Sequence, residues 1–259
     1  MQSTSAVYRR ILSNPNHWFE TCVVIGESGT LITESNDRIL FGGDAIVVSR
    51  TGPDSGYREY QLFSVKTTTK LFENEPTVGR AVASEIDLQM INPAGDMPRM
   101  SIVIPYVRAH SATEESEWLQ QGTFYIDTRE ISHNSDGLDI ITIHGYDAML
   151  RAEQGYHTTI MDWPATDTDI VSEIASLIGV AVDPRTYDLM TEGYTLPLPT
   201  GYTMREYLGY IASMYVGCFL MNDVGQLRLV SLIDLPKETN YLTDGTGYSL
   251  LFGEDRILV

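Results

Sequence analysis

The chain has few cysteines, and it has no long apolar segment. Its 259 residues include two cysteines, Cys22 and Cys218, which lie in separate apolar, strand-like segments. This arrangement favours two small buried side chains over a disulfide or a nucleophile, and it suits folding in a reducing cytosol. Because no apolar run reaches the roughly 18 residues of a membrane span, we predict no transmembrane helix. The first residues also lack the apolar core of a signal peptide.

Basic residues are scarce as well. Lys and Arg total 17 against 35 Asp and Glu, which gives a formal net charge of −18. Proteins that hold nucleic acid through its phosphates need a basic surface, and no basic cluster occurs here. Sequence-independent nucleic-acid binding is therefore disfavoured. The acidic excess is typical of a soluble surface, and it also suits the wall of a pore through which DNA slides.

Motifs for catalysis and metal binding are missing. The sequence has no Walker loop, no G-x-G-x-x-G, no H-E-x-x-H and no calcium loop. His133 and His144 lie on opposite arms of one predicted hairpin, where Asp127 or Asp139 could complete a metal or catalytic site. Ordinary strand histidines are the simpler interpretation. A carboxylate pair for glycoside hydrolysis stays open, because a chain with 35 acidic residues always offers pairs.

Residues 117–149 are the stretch around which the chain is organised. Phe124 and Ile126 alternate with Tyr125 and Asp127, which is the period of a strand with one buried face. Residues 134–137 supply a tight turn, and residues 138–144 return as a second strand. The sequence Gly-Tyr-Asp at 145–147 is expected to break this strand before a short helix. The hairpin is the predicted seam between a β-rich half and an α/β half.

The clearest alternation in the protein precedes this hairpin. Ile86, Leu88 and Met90 alternate with the polar residues Glu85, Asp87 and Gln89, which predicts a half-buried antiparallel strand with an acidic outer face. Residues 100–106 alternate again through Ile102 and Ile104. Short strands with turn signals between them, over residues 1–146, are typical of an antiparallel barrel or sandwich.

The period changes after the hairpin. Thr166 stands three residues before Asp169, a capping spacing that also accounts for two of the three clustered aspartates Asp162, Asp167 and Asp169. The helix that follows ends at Gly179, and its apolar face is predicted to comprise Ile170, Val171, Ile174, Leu177 and Ile178. Thr203 and Glu206 repeat the capping device before a second helix. Residues 218–221 and 226–232 then form a hairpin.

These patterns predict an α+β protein with three parts. Residues 1–146 form an antiparallel tube-like β-barrel or sandwich. Residues 147–233 form a small α/β domain of two helices and a β-hairpin. Residues 234–259 form a short C-terminal β segment, which would be part of an incomplete second barrel.

Several sequence blocks together resemble the hub proteins of phage tails, both the tail-associated hubs of siphophages and the baseplate hubs of contractile injection systems. The blocks are ASEIDLQM after Gly79, the W-x-x-x-G-x-F-Y-I-D pattern from Trp118, GYDAM from Gly145, the helix Y-T-x-R-E-Y-L-x-Y-I-A from Tyr202, and N-D-x-G-x-L-x-L from Asn222. The resemblance covers about residues 6–233. It departs from the family at the C-terminus, where too little chain remains for a second barrel.

The resemblance implies a non-enzymatic, cofactor-free virion protein that is made in the bacterial cytoplasm and sits at the tail tip or baseplate. Its expected state is a homotrimer that joins the tail tube or distal tail protein to the tip or spike. The tape measure protein and DNA would pass along its axis. Glu85 and Asp87 are the candidate channel-facing residues. The alternatives are a carbohydrate- or receptor-binding module, suggested by 15 tyrosines and 3 tryptophans, and a carboxylate hydrolase using Asp127 or Asp139.

Overall fold

The fold is mixed α+β, mostly β-sheet with a few helices, which confirms the predicted class. It is seen in a computed structural model that describes residues 4–26, 29–30, 40–41, 44–45, 47–48, 53, 56–58, 61–71, 77–93, 97, 99–133, 137–232, 251–252 and 255–256. Among these residues, no helix is long and apolar enough to cross a membrane.

Most strands lie in the N-terminal part of the chain, and most helices follow them. The N-terminal part contains α1 (Ala6–Leu12), β1 (Trp18–Gly26), β2 (Gly29–Thr30), β3 (Leu40–Phe41), β4 (Asp44–Ala45), β5 (Val47–Val48), β6 (Tyr57–Arg58), β7 (Leu62–Thr68), β8 (Arg80–Ala81), β9 (Glu85–Ile91), β10 (Ile102–His110), β11 (Leu119–Gln120), β12 (Phe124–His133) and β13 (Asp139–Asp147). The remainder contains a 3-10 helix (Ala148–Glu153), β14 (Ala165–Thr166), α2 (Asp167–Ile178), α3 (Pro184–Leu189), β15 (Thr195–Leu196), α4 (Met204–Met214), β16 (Gly217–Met221), β17 (Leu227–Ser231), β18 (Leu251–Phe252) and β19 (Asp255–Arg256).

The largest sheet has the strand order β6-β1-β10-β12-β13-β9-β7, and β11 pairs with β10 beside this path. Its ladders are antiparallel, and the predicted hairpin forms the β12–β13 pair. Within the described residues the sheet is open, because its end strands β6 and β7 do not pair with each other. The tube-like barrel therefore stays a prediction.

One face of this sheet carries a hydrophobic cluster that we call the sheet core. Its members include Ile86, Leu88 and Met90 from β9 and Ile126 from β12, all almost completely buried. The alternation predicted for β9 is thus confirmed. At roughly 1.5–3 kcal/mol for each large apolar side chain, such burial is the main stabilising contribution to the sheet.

Two expectations for neighbouring strands are wrong. In β10 the buried positions include Val103 and Ala109, whereas Ile102 and Ile104 are only partly buried. Ile102 packs instead against a second cluster, so this end of the sheet has apolar contacts on both faces. Gly145 does not break β13, which continues to Asp147. A Cβ at Gly145 would lie 2.6 Å from the Tyr125 carbonyl oxygen, so glycine permits a close strand approach there.

The second cluster, which we call the helical core, contains Ile170, Ile174, Leu208 and Phe219 among its members. The two predicted caps are confirmed: Thr166 accepts from the Asp169 amide, and Thr203 forms a capping box with Glu206. Helix α2 ends at Gly179 as predicted. Leu177 was expected on the buried face but is largely exposed, because it lies at the margin of the apolar stripe.

Two features were not predicted. Helix α3 begins with Asp183 as its N-cap and Pro184 in its first turn, which is a recognisable start signal. Strand β8 pairs in parallel with β16, so a segment that precedes β9 joins the sheet of the helical unit. Helix α4 crosses this segment closely, since a Cβ at Gly209 would lie 2.8 Å from the Gly79 carbonyl oxygen.

Two predicted features lie outside the described residues in part. They are the hairpin turn at 134–137 and most of the C-terminal segment 234–259. From the last segment, the described residues show β18 paired with β19.

Candidate functional site

The outer face of β9 is the candidate site named by the sequence. Glu85 and Asp87 alternate with buried residues and lie on the solvent side of the sheet, with Asp87 more exposed than Glu85. The register places Glu85 between Thr68 of β7 and Tyr146 of β13. The face therefore presents carboxylates to the surroundings on a rigid, fully paired strand.

Asp87 has charged or titratable neighbours on both sides. His144 on β13 contacts it through Nδ1 at 2.8 Å from Asp87 Oδ1, and Lys66 is its register partner on β7. The Asp87 side chain keeps 53% of its surface exposed, so its pairing with His144 is worth at most about 1 kcal/mol. This part of the face is thus less negative than its two carboxylates alone would make it.

The two histidines of the central hairpin are not brought together. His144 lies opposite Thr128, whereas His133 lies opposite Asp139 near the far end of β12. The intervening length of strand is roughly 17 Å, and the odd spacing puts the side chains on opposite faces. Each has its own carboxylate: His133 Nδ1 is 2.5 Å from Asp139 Oδ1. Within the described residues, no three His, Cys, Asp or Glu side chains are grouped to hold a metal ion.

The carboxylates proposed for hydrolysis are also separated. Asp127 sits at the β12 bulge and forms a 2.5 Å ion pair with Arg99. Asp139 is opposite His133, roughly 20 Å further along the ribbon. Glycosidase carboxylates lie about 5–9.5 Å apart. This pair therefore does not form such a site.

Two of the three clustered aspartates have structural roles at the start of α2. Asp169 bonds to Thr166 at the start of α2, and the buried Asp167 accepts hydrogen bonds from the Thr168 amide and the Tyr215 hydroxyl. Asp162 is exposed. Both cysteines are buried and not in a disulfide, as predicted.

Sequence reasoning missed the most deeply buried acid at the seam. The Asp147 side chain accepts from the Ser84 amide at 2.7 Å and from the Met149 amide at 2.9 Å, and the Asp147 amide donates to the Ser84 carbonyl at 3.0 Å. Its exposure is 1%. Burial raises the pKa of Asp147 to about 6, because the loss of solvation outweighs the two amide donors that favour the charged form. The signal available in the sequence was an aspartate just before a helical turn.

A second buried aspartate organises the helical unit. Asp183 caps α3, pairs with Arg185 at 2.5 Å and accepts from the Asn222 amide group at 2.9 Å. Hydrogen bonding by Arg185 is the main reason that the pKa of Asp183 lies far below its usual value. Asp183 thus joins α3 to the turn of the β16–β17 hairpin, which is a structural role.

A cluster of charged side chains lies on β1, β6 and β10. Glu20 contacts Arg108 at 2.6 Å, His110 at 2.8 Å and Arg58 at 3.1 Å. Both arginines also stack on Trp118, with centroid distances of 4.5 and 4.9 Å. Burial raises the pKa of Glu20, but its hydrogen bonds to Arg108 and His110 outweigh burial, so the net pKa is lowered. The cluster connects Trp118, just before β11, to the sheet.

Comparison with known proteins identifies structural neighbours only. No family model and no curated protein matches the chain. The chain is similar to the 43 kDa tail protein of prophage MuSo2 from Shewanella oneidensis, with 14% identity, coverage of 82% of this chain and 53% of that one, and a TM-score of 0.47. It is similar to a tail protein from Neisseria meningitidis MC58, with 13% identity, coverage of 82% and 50%, and a TM-score of 0.47.

A third neighbour is the Francisella PdpA-VgrG complex, with 8% identity, coverage of 87% and 31%, and a TM-score of 0.44. The chain thus spans about half the length of the two tail proteins and about a third of the chain in the complex. The neighbours are therefore phage tail proteins and a VgrG complex. At these identities and TM-scores, their partners and activities do not transfer to this chain.

The raised pKa of Asp147 predicts a pH dependence of stability. A carboxyl with a folded-state pKa of about 6 and an ordinary value of 3.8 stabilises the fold fully at low pH. That contribution is lost as the pH rises towards and through 6, and it amounts to about 3 kcal/mol at 1.36 kcal/mol per pKa unit. In urea unfolding from pH 4 to 7, wild type should lose stability relative to Asp147→Asn.

The matched control is the exposed residue Asp162. The stability difference between wild type and Asp162→Asn should stay constant over the same pH range. A constant difference between wild type and Asp147→Asn would contradict the assigned pKa.

Proposed function

We propose that the chain is a structural protein of a phage tail or phage-like injection machine, acting as a hub between the tail tube and the tip or baseplate. The observation that carries this proposal is that the hub-like sequence blocks contact one another. Within these blocks, β9 pairs with β13 and β12 pairs with β13. Arg205 of the block in α4 donates to the Ala81 carbonyl at 2.6 Å.

These contacts suit a scaffold rather than a catalyst. They consist of backbone ladders and apolar packing, and the nearby acids Asp147 and Asp183 serve as caps and anchors. The hydrolase alternative loses its support, because Asp127 and Asp139 are far apart on the ribbon. In this proposal the protein has no enzymatic role and needs no cofactor.

The proposed assembly follows from the family resemblance. Residues 1–146 are a tube-like domain, residues 147–233 a small α/β domain, and residues 234–259 part of an incomplete second barrel. Three copies form a ring in the virion, in contact with the tail tube or distal tail protein, the tip or spike and the tape measure protein. A net charge of −18 suits a channel that DNA crosses without binding.

The trimer is tested by the native mass of the purified protein. Light scattering coupled to size exclusion should give three times the 28.9 kDa of one chain, and the mass should hold on dilution. A trimer supports the proposal, whereas a monomer at every concentration contradicts the proposed ring.

The channel is tested by reversing charge on the outer face of β9. Tails carrying Glu85→Lys and Asp87→Lys should release DNA more slowly, because each lysine adds a phosphate contact to every subunit. The delay should shrink between about 50 and 200 mM salt, as phosphate contacts weaken.

A control variant carries the same charge change elsewhere. Asp162→Lys with Glu192→Lys alters two exposed residues of the α/β part and should leave release unchanged. Equal release rates for wild type and the Glu85/Asp87 variant would show that these two residues do not line the channel.

A further inference from the structure

A cleft of about 450 Å³ opens beside the first turns of α4. One side is formed by Tyr202 and Tyr210, and the other by Arg80 of β8 and by Glu153 and Arg205. Its volume falls within the roughly 300–1,000 Å³ of small-molecule sites. Neither the proposed hub role nor the core packing accounts for this cleft.

The aromatic side of the cleft is partly exposed and packs near a buried ring. Tyr202 and Tyr210 are 39% and 49% exposed, and their rings meet edge to face with centroids 5.2 Å apart. Both rings lie near Tyr207, which is buried and donates its hydroxyl to the Pro197 carbonyl at 2.6 Å. Because the two rings are nearly perpendicular, each half-exposed ring offers its own contact surface to an apolar ligand face.

The polar side has balanced charge. Arg205 pairs with Glu153 and donates to the Ala81 carbonyl, while Glu206 accepts from the Thr203 amide at 2.8 Å. With Arg80, the cleft has two guanidinium groups and two carboxylates. A strongly charged ligand therefore gains no net attraction, whereas a hydroxyl-rich neutral ligand finds donors and acceptors together.

We propose that this cleft binds a neutral oligosaccharide. The C–H faces of neighbouring sugar rings pack on Tyr202 and on Tyr210, one ring on each. The hydroxyl groups exchange hydrogen bonds with Arg80, the Glu153–Arg205 pair and Glu206. This binding is independent of the hub role, because a hub that binds no sugar would still assemble.

The test is saturation-transfer NMR on the full chain with chitotetraose, cellotetraose and maltotetraose, and with tetralysine and tripolyphosphate as charged probes. At least one neutral tetrasaccharide should receive saturation. Tyr202→Ala with Tyr210→Ala should weaken its affinity by roughly tenfold or more, because the double change removes both aromatic contact surfaces of the cleft.

Two matched variants make the test specific. Tyr187→Ala with Tyr194→Ala removes tyrosines that are each 40% exposed but lie outside the cleft, and it should leave the affinity unchanged. Tyr202→Phe with Tyr210→Phe keeps the rings and should keep most of the affinity. Thermal unfolding of each variant checks that it is folded.

The proposal is overturned by either of two results: no saturation of any neutral tetrasaccharide, whether or not a charged probe binds, or equal affinity of wild type and the Tyr202/Tyr210 alanine variant.

Discussion

A buried carboxylate at the end of the central hairpin is the contact on which the two halves of the fold depend. Asp147 closes β13, binds the Ser84 amide just before β9 and caps the 3-10 helix through the Met149 amide. One side chain thus fixes the place where the chain leaves the sheet. Removing it would leave buried amide donors unsatisfied, at about 1–3 kcal/mol for each.

The same seam explains how the sheet core and the helical core are joined. Tyr125 extends from β12 into the helical core, and Arg151 stacks on its ring at 4.1 Å. The segment before β9 crosses to the helical unit, where β8 pairs with β16 and α4 packs closely on Gly79. These contacts join segments that are separated in the sequence, so each of the two cores is completed by residues from the other part of the chain.

What the sequence predicted well is local. Each of the two predicted helix caps involves residues within four positions of each other, namely Thr166 with Asp169 and Thr203 with Glu206. The alternation around Ile86 directly reflects burial on one face of the sheet. What it missed is long-range: the parallel β8–β16 pair, the burial of Asp147, and the role of Gly145, whose missing side chain admits the Tyr125 carbonyl. A glycine in the sequence does not by itself show whether it allows a turn or a close approach of two backbone segments.

The candidate site was predicted only in part, for the same reason. The outward positions of Glu85 and Asp87 follow from period-two alternation, whereas the contact of Asp87 with His144 depends on strand register. The sequence shows the tyrosines around α4 only as an excess in composition, whereas their grouping in a cleft depends on the helix, β8 and Glu153 together.

The proposed hub role is tested most directly by immunogold labelling of intact tail particles with antibodies against the chain. If the chain is a hub, gold should be confined to the junction between tube and tip. Particles that contain no chain, or label spread along the tube, would contradict it.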